Sequence, residues 1–184
     1  HGLLARALGM AGWSLSDVQE MAFDEIRRDL RRPIPMARLL QGDIGSGKQS
    51  VIQASMLSMA EVAFQSVFLA PDPLTAEHRF LFAESFFRSV GLEPLLLSHH
   101  PSRAQIDLLK RGETLIVYGT HASVSALGEC KKLGLVIVED PSPTGFFDLS
   151  QLENLSQRPD VLVFTATPVP ASILLSVYGG LALT

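Results

Sequence analysis

Short apolar runs alternate with longer stretches of helical periodicity along this chain. The runs predict strands at residues 38–41, 66–70, 94–98, 114–118, 134–138 and 161–164. Several are apolar throughout, as in strands covered on both faces. Helical stretches fill the intervals, at residues 48–61, 73–90, 102–110, 148–155 and 171–178. A leading amphipathic helix is predicted over residues 16–30, with Val18, Met21, Ile26 and Leu30 at helical spacing. Ser16 and Gln19 form an S-x-x-Q capping box at its start, and Pro33 and Pro35 end it. Gly91 and Gly112 stand where helix C-caps are expected. Strand and helix in alternation predict an α/β fold: a mostly parallel, doubly wound sheet with helices on both faces.

Composition narrows the class. The 184 residues suit one domain with a full core, residues 1–184, on which the leading segment 1–35 packs. A net charge of −4 does not advertise a nucleic-acid binder, so any DNA contact must come from a local patch. The single Cys130 excludes an internal disulfide and points to a reducing, cytoplasmic setting. No apolar run approaches the roughly 20 residues of a membrane span. The chain begins at His1 and reads as part of a larger protein.

Small or polar residues follow the predicted strands: Gly42-Asp43, Pro71-Asp72, Gly119-Thr120, Glu139-Asp140 and Thr165-Ala166-Thr167. Open α/β sheets bind ligands outside the carboxyl ends of their strands. The first of these sites is specific. Gly42-Asp43-Ile44-Gly45-Ser46-Gly47-Lys48 fits G-x-x-x-x-G-K between a strand and a helix, the context this phosphate loop needs. Gly42, Gly45 and Gly47 let backbone N–H groups turn toward phosphate oxygens, with Ser46 beside them. The helix N-terminus favours negative charge, and Lys48 reaches the terminal phosphates. A Ser or Thr should follow and give its hydroxyl to Mg²⁺, but Gln49 follows. Ser50 comes one residue late, rotated roughly 100° around the helix.

Pro35-Met36-Ala37-Arg38-Leu39-Leu40-Gln41 with the phosphate loop resembles the RecG branch of superfamily 2 DNA helicases. Further matches follow in the family's order. Residues 13–19, ending in Gln19, resemble the segment whose glutamine reads adenine. Ala70-Pro71 begins the DNA-touching segment. Gly119-Thr120-His121-Ala122 matches G-T-H-A, and residues 133–138 match the strand before the D-E-x-H box. Thr165-Ala166-Thr167-Pro168-Val169-Pro170 resembles T-A-T-P-I-P, and Tyr178-Gly179-Gly180-Leu181 resembles Y-G-D-L. The likeness implies a RecA-like P-loop NTPase domain, the first motor domain of an ATP-dependent DNA helicase acting in recombination and repair. It implies ATP and Mg²⁺ as cofactors. It also implies DNA, a second motor domain carrying arginine fingers and a branch-recognising domain as partners. Asp72, Gly119, Thr120, His121, Thr165 and Thr167 would touch DNA or couple it to the nucleotide.

The departures from the family fall on chemical positions. D-E-x-H is replaced by Glu139-Asp140-Pro141-Ser142. The resemblance makes Glu139 the metal-supporting carboxylate and Asp140 the water-activating one, with their lengths exchanged. A displacement of about 1 Å can cost about a hundredfold in rate at such sites. Ser142 replaces the histidine that joins the ATP site to T-A-T. Asp72 replaces a threonine and would repel DNA phosphate. Ala171 replaces an arginine. The pattern predicts weak Mg²⁺ binding, lost or weakened ATP hydrolysis and weak DNA binding, with this chain alone inactive. A non-catalytic nucleotide-binding or scaffolding module built on the helicase fold is the alternative.

Single residues have plainer readings. Gln19 serves a capping box as readily as an adenine, and Glu139 and Asp140 can cap a loop. Thr165 and Thr167 are β-branched residues at a strand end. His99 and His100 lack an acidic or cysteine partner in sequence, which speaks against a metal.

Overall fold

The computed structural model describes residues 2–9, 13–43, 45–139, 147–153, 155–165 and 182–183. Two helices, α1 (Leu3–Leu8) and α2 (Asp17–Asp29), precede the first strand, β1 (Ala37–Gln41). Then follow α3 (Lys48–Glu61), β2 (Gln65–Ala70), α4 (Pro73–Ser89), β3 (Leu95–Leu96) and α5 (Arg103–Arg111). After β4 (Ile116–Thr120) comes a 3₁₀ helix, His121–Glu129. Next are β5 (Leu133–Glu139), α6 (Ser150–Glu153), β6 (Asp160–Thr165) and β7 (Ala182–Leu183). The strands form one seven-stranded sheet in the order β3-β4-β2-β5-β6-β1-β7, with every pairing parallel. The predicted helix at 171–178 lies outside the described residues.

Strand parity splits the core into two layers. Leu40, Phe68, Tyr118, Ile137 and Phe164 face α2, α3 and α4. Val67, Leu69, Val117, Val136 and Val138 face α5, the 3₁₀ helix and α6. Strands β2, β4 and β5 are buried at every position, which is why they read as continuous apolar runs. The sheet therefore carries helices on both faces, as an α/β RecA-like domain does.

The leading helix starts as predicted. Ser16 accepts from the Gln19 N–H, and the Gln19 side chain accepts from the Ser16 N–H. Its buried stripe follows the predicted one in its second half, at Ile26 and Leu30, and departs from it in the first. Phe23 and Ile26 are buried, whereas Val18 and Met21 are 76% and 69% exposed. Arg38 fixes this helix to β1. Its guanidinium donates to Asp29 at 2.5 and 3.0 Å and to Glu25 at 2.8 Å.

Strand β4 is displaced two residues from the predicted 114–118. It absorbs Gly119 and Thr120, which the sequence pattern puts in the following loop. Gly119 lets Ser123 pack closely against this strand. A Cβ there would lie 3.3 Å from the Ser123 hydroxyl and 3.5 Å from the Leu97 side chain. The segment His121–Glu129 and helix α1 are absent from the predicted elements. Strand β3 shrinks to Leu95–Leu96 at the sheet edge, and the helix predicted at 148–155 is described only over Ser150–Glu153.

Candidate nucleotide site

Register brings the predicted site residues together at one end of the sheet. Gln41 of β1 pairs with Thr165 of β6, and Phe164 of β6 pairs with Glu139 of β5. The loop at 42–47 leaves β1 at this end. Glu139 and Thr165 are the last residues of their strands rather than loop residues. Asp140 and Thr167 lie outside the described residues, as do Ser142, Ala171 and residues 178–181.

The loop turns as a phosphate loop must. Gly45 and Gly47 have φ of 84° and 76°, a left-handed conformation that residues with a Cβ rarely adopt. Gly47 caps the N-terminus of α3, and Lys48 is that helix's first residue. The Lys48 ammonium donates to the carbonyls of Gly42 and Asp43, both at 2.6 Å, and to the Ser46 hydroxyl at 3.2 Å. Burial pulls its pKa below the ordinary lysine value; Asp43 opposes this and the charge of Arg79 adds to it. Gln19 reaches the loop as well, its amide nitrogen donating to the Ser46 carbonyl at 2.9 Å. The capping reading and the nucleotide-site reading of Gln19 thus meet in one side chain.

Glu139 has a partner that the sequence did not indicate. Strand parity turns it toward the α4 layer, alongside Leu135 and Ile137. There the Arg79 guanidinium grips both carboxylate oxygens, Nη2 to Oε1 at 2.5 Å and Nε to Oε2 at 3.1 Å. Arg79 projects from α4 one turn beyond the buried Ala76. Its guanidinium also stands 5.6 Å from the Phe164 ring centre, and Lys48 Nζ stands 5.8 Å from the same ring. Both cations line a cleft of about 460 Å³ with Gly45, Gly47, Gln49 and Phe82. The Gln49 amide is buried and neither its nitrogen nor its oxygen has a hydrogen-bond partner.

The remaining predicted residues lie at the neighbouring strand ends. Asp72 is the N-cap of α4, accepting from the Thr75 N–H at 2.9 Å and the Thr75 hydroxyl at 2.7 Å. Those two bonds hold its pKa below the usual aspartate value, the hydroxyl contributing most. Thr120 caps the 3₁₀ helix through Ser123, and its hydroxyl lies 3.3 Å from that of Ser123. The His121 ring contacts the Glu139 carbonyl at 3.0 Å and packs edge-on against Phe147 with centres 4.8 Å apart. His121 thus joins the end of β4 to the end of β5. Thr165 is fully buried.

A fit to ATP and a fit to Mg²⁺ can be judged separately. The glycine loop, helix N-terminus and Lys48 suit a polyphosphate. The divalent ion fits poorly, because the Glu139 carboxylate is spanned by a guanidinium and Gln49 offers an amide. Mg²⁺ demands near-ideal octahedral oxygen geometry at about 2.1 Å. Among the described residues no group of three or more His, Cys, Asp or Glu could hold a metal.

An all-parallel sheet with a glycine phosphate loop after one strand and a carboxylate and a threonine ending two others is a RecA-like domain of the class found in helicases. The chain is a RecG-like segment of that class. It is 36% identical over 176 residues to the ATP-dependent DNA helicase RecG of Thermotoga maritima, covering 94% of this chain and 23% of that protein. A solved structure of RecG bound to a three-way DNA junction superposes with a TM-score of 0.81 at 32% identity, covering 99% of this chain and 25% of that one. The crystal structure of the helicase MrfA shares the fold alone, at TM-score 0.73 and 15% identity, over 99% of this chain and 32% of that one. No family model matches the chain. The chain spans about a quarter of the length of the curated relatives it matches. None of its described helices is long and apolar enough to cross a membrane.

Proposed function

We propose that this chain is the ATP-binding first motor domain of a RecG-like DNA helicase or translocase of recombination and repair, with ATP hydrolysis weakened or lost. The observation that carries the loss is the Arg79–Glu139 clasp, in which both carboxylate oxygens already serve a cation. Gln49 in place of a hydroxyl residue supports the same reading. In phosphoryl transfer the protein acts mainly by positioning and charge stabilisation, so a disabled metal position costs most of the rate. Gly42, Gly45, Ser46, Gly47 and Lys48 hold the polyphosphate, Gln19 holds the loop and reads adenine, and His121 couples the neighbouring strand ends. Glu139 and Asp140 are the descendants of the metal-supporting and water-activating pair.

DNA binding by this chain is weak and salt-sensitive on this reading, because the net charge is −4 and Asp72 is anionic at the predicted DNA path. A second motor domain and a branch-recognising domain are the partners that a working helicase requires. The test is nucleotide titration of the chain beside Lys48→Ala, with DNA-stimulated hydrolysis assayed in parallel. Binding lost in Lys48→Ala with near-background hydrolysis is the expected result. Equal binding by both proteins would sink the site, and brisk DNA-stimulated hydrolysis would sink the loss of turnover.

A further inference from the structure

The failure of the metal position has a physical counterpart in Arg79. A polyphosphate at a P-loop carries more negative charge than one lysine and a helix N-terminus neutralise, and divalent ions ordinarily supply the rest. Here a guanidinium fixed by the fold stands beside that charge. Arg79 and Lys48 lie at similar distances from the Phe164 ring, 5.6 and 5.8 Å, and line the same cleft as the phosphate loop. The Arg79 side chain is 27% exposed and lines the cleft, while Glu139 holds its Nε and Nη2 edge. A guanidinium presents five N–H donors, and the two given to Glu139 leave three. Gln49 lines this cleft too, and its buried amide has no hydrogen-bond partner.

We infer that Arg79 is a built-in counter-ion that takes the place of the divalent cation, so that nucleoside triphosphate binds here free of metal. In the same arrangement Arg79 occupies Glu139 and keeps it from ligating a metal. Arg79 is thus a specificity-determining residue for the metal state of the nucleotide. This rests on the nucleotide-site reading above.

The test is equilibrium binding of ATP to the full chain in EDTA and in Mg²⁺, for wild type, Arg79→Gln and Glu139→Gln. Wild-type affinity should agree within about threefold between the two conditions. Arg79→Gln should weaken binding in EDTA by about tenfold, the scale of one charge-assisted contact, and Mg²⁺ should recover most of it. Glu139→Gln keeps an acceptor for Arg79 but removes the competing charge, so it should tighten metal-free binding by about threefold or more. That variant keeps the test alive if Arg79→Gln does not fold. Wild-type binding that depends strongly on Mg²⁺ overturns the inference. So does wild-type binding that neither substitution changes in EDTA, and in both cases the nucleotide site itself stands. No ATP binding by folded wild type in either condition overturns the nucleotide site and this inference together.

Discussion

Arg79 and Glu139 are 60 residues apart in sequence, yet the guanidinium of one spans the carboxylate of the other. The pair ties α4 to the end of β5, and the Glu139 carbonyl extends the tie to His121 at the end of β4. Planar bidentate geometry makes this the strong kind of ion pair, and Glu139 is the more buried partner. Removing Arg79 alone leaves a buried carboxylate without its counter-charge, the situation that destabilises most.

Arg79→Ala should therefore lower stability by about 2 kcal/mol, less than a fully buried pair because Arg79 is partly solvated. Glu139→Ala should lower it by less, since the stranded arginine can reach water. A double-mutant cycle read by urea unfolding should give a coupling on the order of 1–2 kcal/mol. A coupling near zero would mean that the clasp is an incidental surface contact.

Gln65 offers a second test, of the fold rather than the site. Its buried amide donates to the carbonyls of Leu109 at 3.2 Å and Thr114 at 3.1 Å and accepts from the Lys132 N–H at 3.0 Å. One side chain thereby ties together the connections that lead into β4 and β5. Gln65→Leu fills the volume but strands the Thr114 carbonyl and the Lys132 N–H, while the Leu109 carbonyl keeps the N–H groups of Gly112 and Lys131; each buried orphan costs about 1–3 kcal/mol. The expected loss is about 3 kcal/mol by chemical denaturation, and a neutral Gln65→Leu would show that water replaces the amide without penalty.

Much of this was legible in local chemistry. Helix α3 begins and ends where predicted because a left-handed glycine fixes its start and the apolar run fixes its length. The Ser16–Gln19 box was legible because both halves lie within one turn. Arg79 was not, because an arginine between His78 and Phe80 on a helix carries no local sign of a carboxylate on another strand. The 3₁₀ helix His121–Glu129 escaped for a different reason. Its buried residues, Ser123, Ala126 and Leu127, are mostly small, so no apolar period announces it. Gly119 misplaced the end of β4, since glycine reads as a turn until the side chain packed against it is known. Val18 and Met21 misled in the opposite sense, keeping helical spacing with nothing to cover them.

Asp160 should give a pH signature. It accepts the Met36 N–H at 2.6 Å at the start of β6. Burial pushes its pKa up to about 6; the Met36 bond opposes this and the negative charge of Asp29 adds to it. The folded state then binds more protons than the unfolded chain between pH ~4 and ~6. Stability should fall as pH rises through that window and stay lower above it. Asp160→Asn keeps an acceptor for Met36 and removes the charge. It should flatten the slope and raise stability at pH 7 by about 1 kcal/mol, a figure reduced for solvent screening at this half-buried position. Thermal melts from pH 4 to 7 would check it, and an unchanged slope would acquit Asp160.

Gln19 carries the last prediction, because three roles converge on it. Its amide oxygen closes the capping box on Ser16, and its nitrogen holds the Ser46 carbonyl of the phosphate loop. A neutral amide has a second hydrogen and a second lone pair, so both bonds leave room for an adenine edge. Substitutions separate the roles. Gln19→Glu keeps an acceptor for the Ser16 N–H but sets a carboxylate against the Ser46 carbonyl. Its melting temperature should stay near that of wild type while ATP affinity falls about tenfold, the equivalent of one lost contact. Gln19→Ala loses the box as well and should also be about 1 kcal/mol less stable. Gly47→Ala should mimic the loop defect, because a Cβ there would lie 2.1 Å from the Gln19 amide nitrogen. Adenine reading shows separately in the ratio of ATP to GTP affinity, which should collapse toward one in Gln19→Ala. Wild-type nucleotide affinity in Gln19→Glu would reduce this side chain to a helix cap.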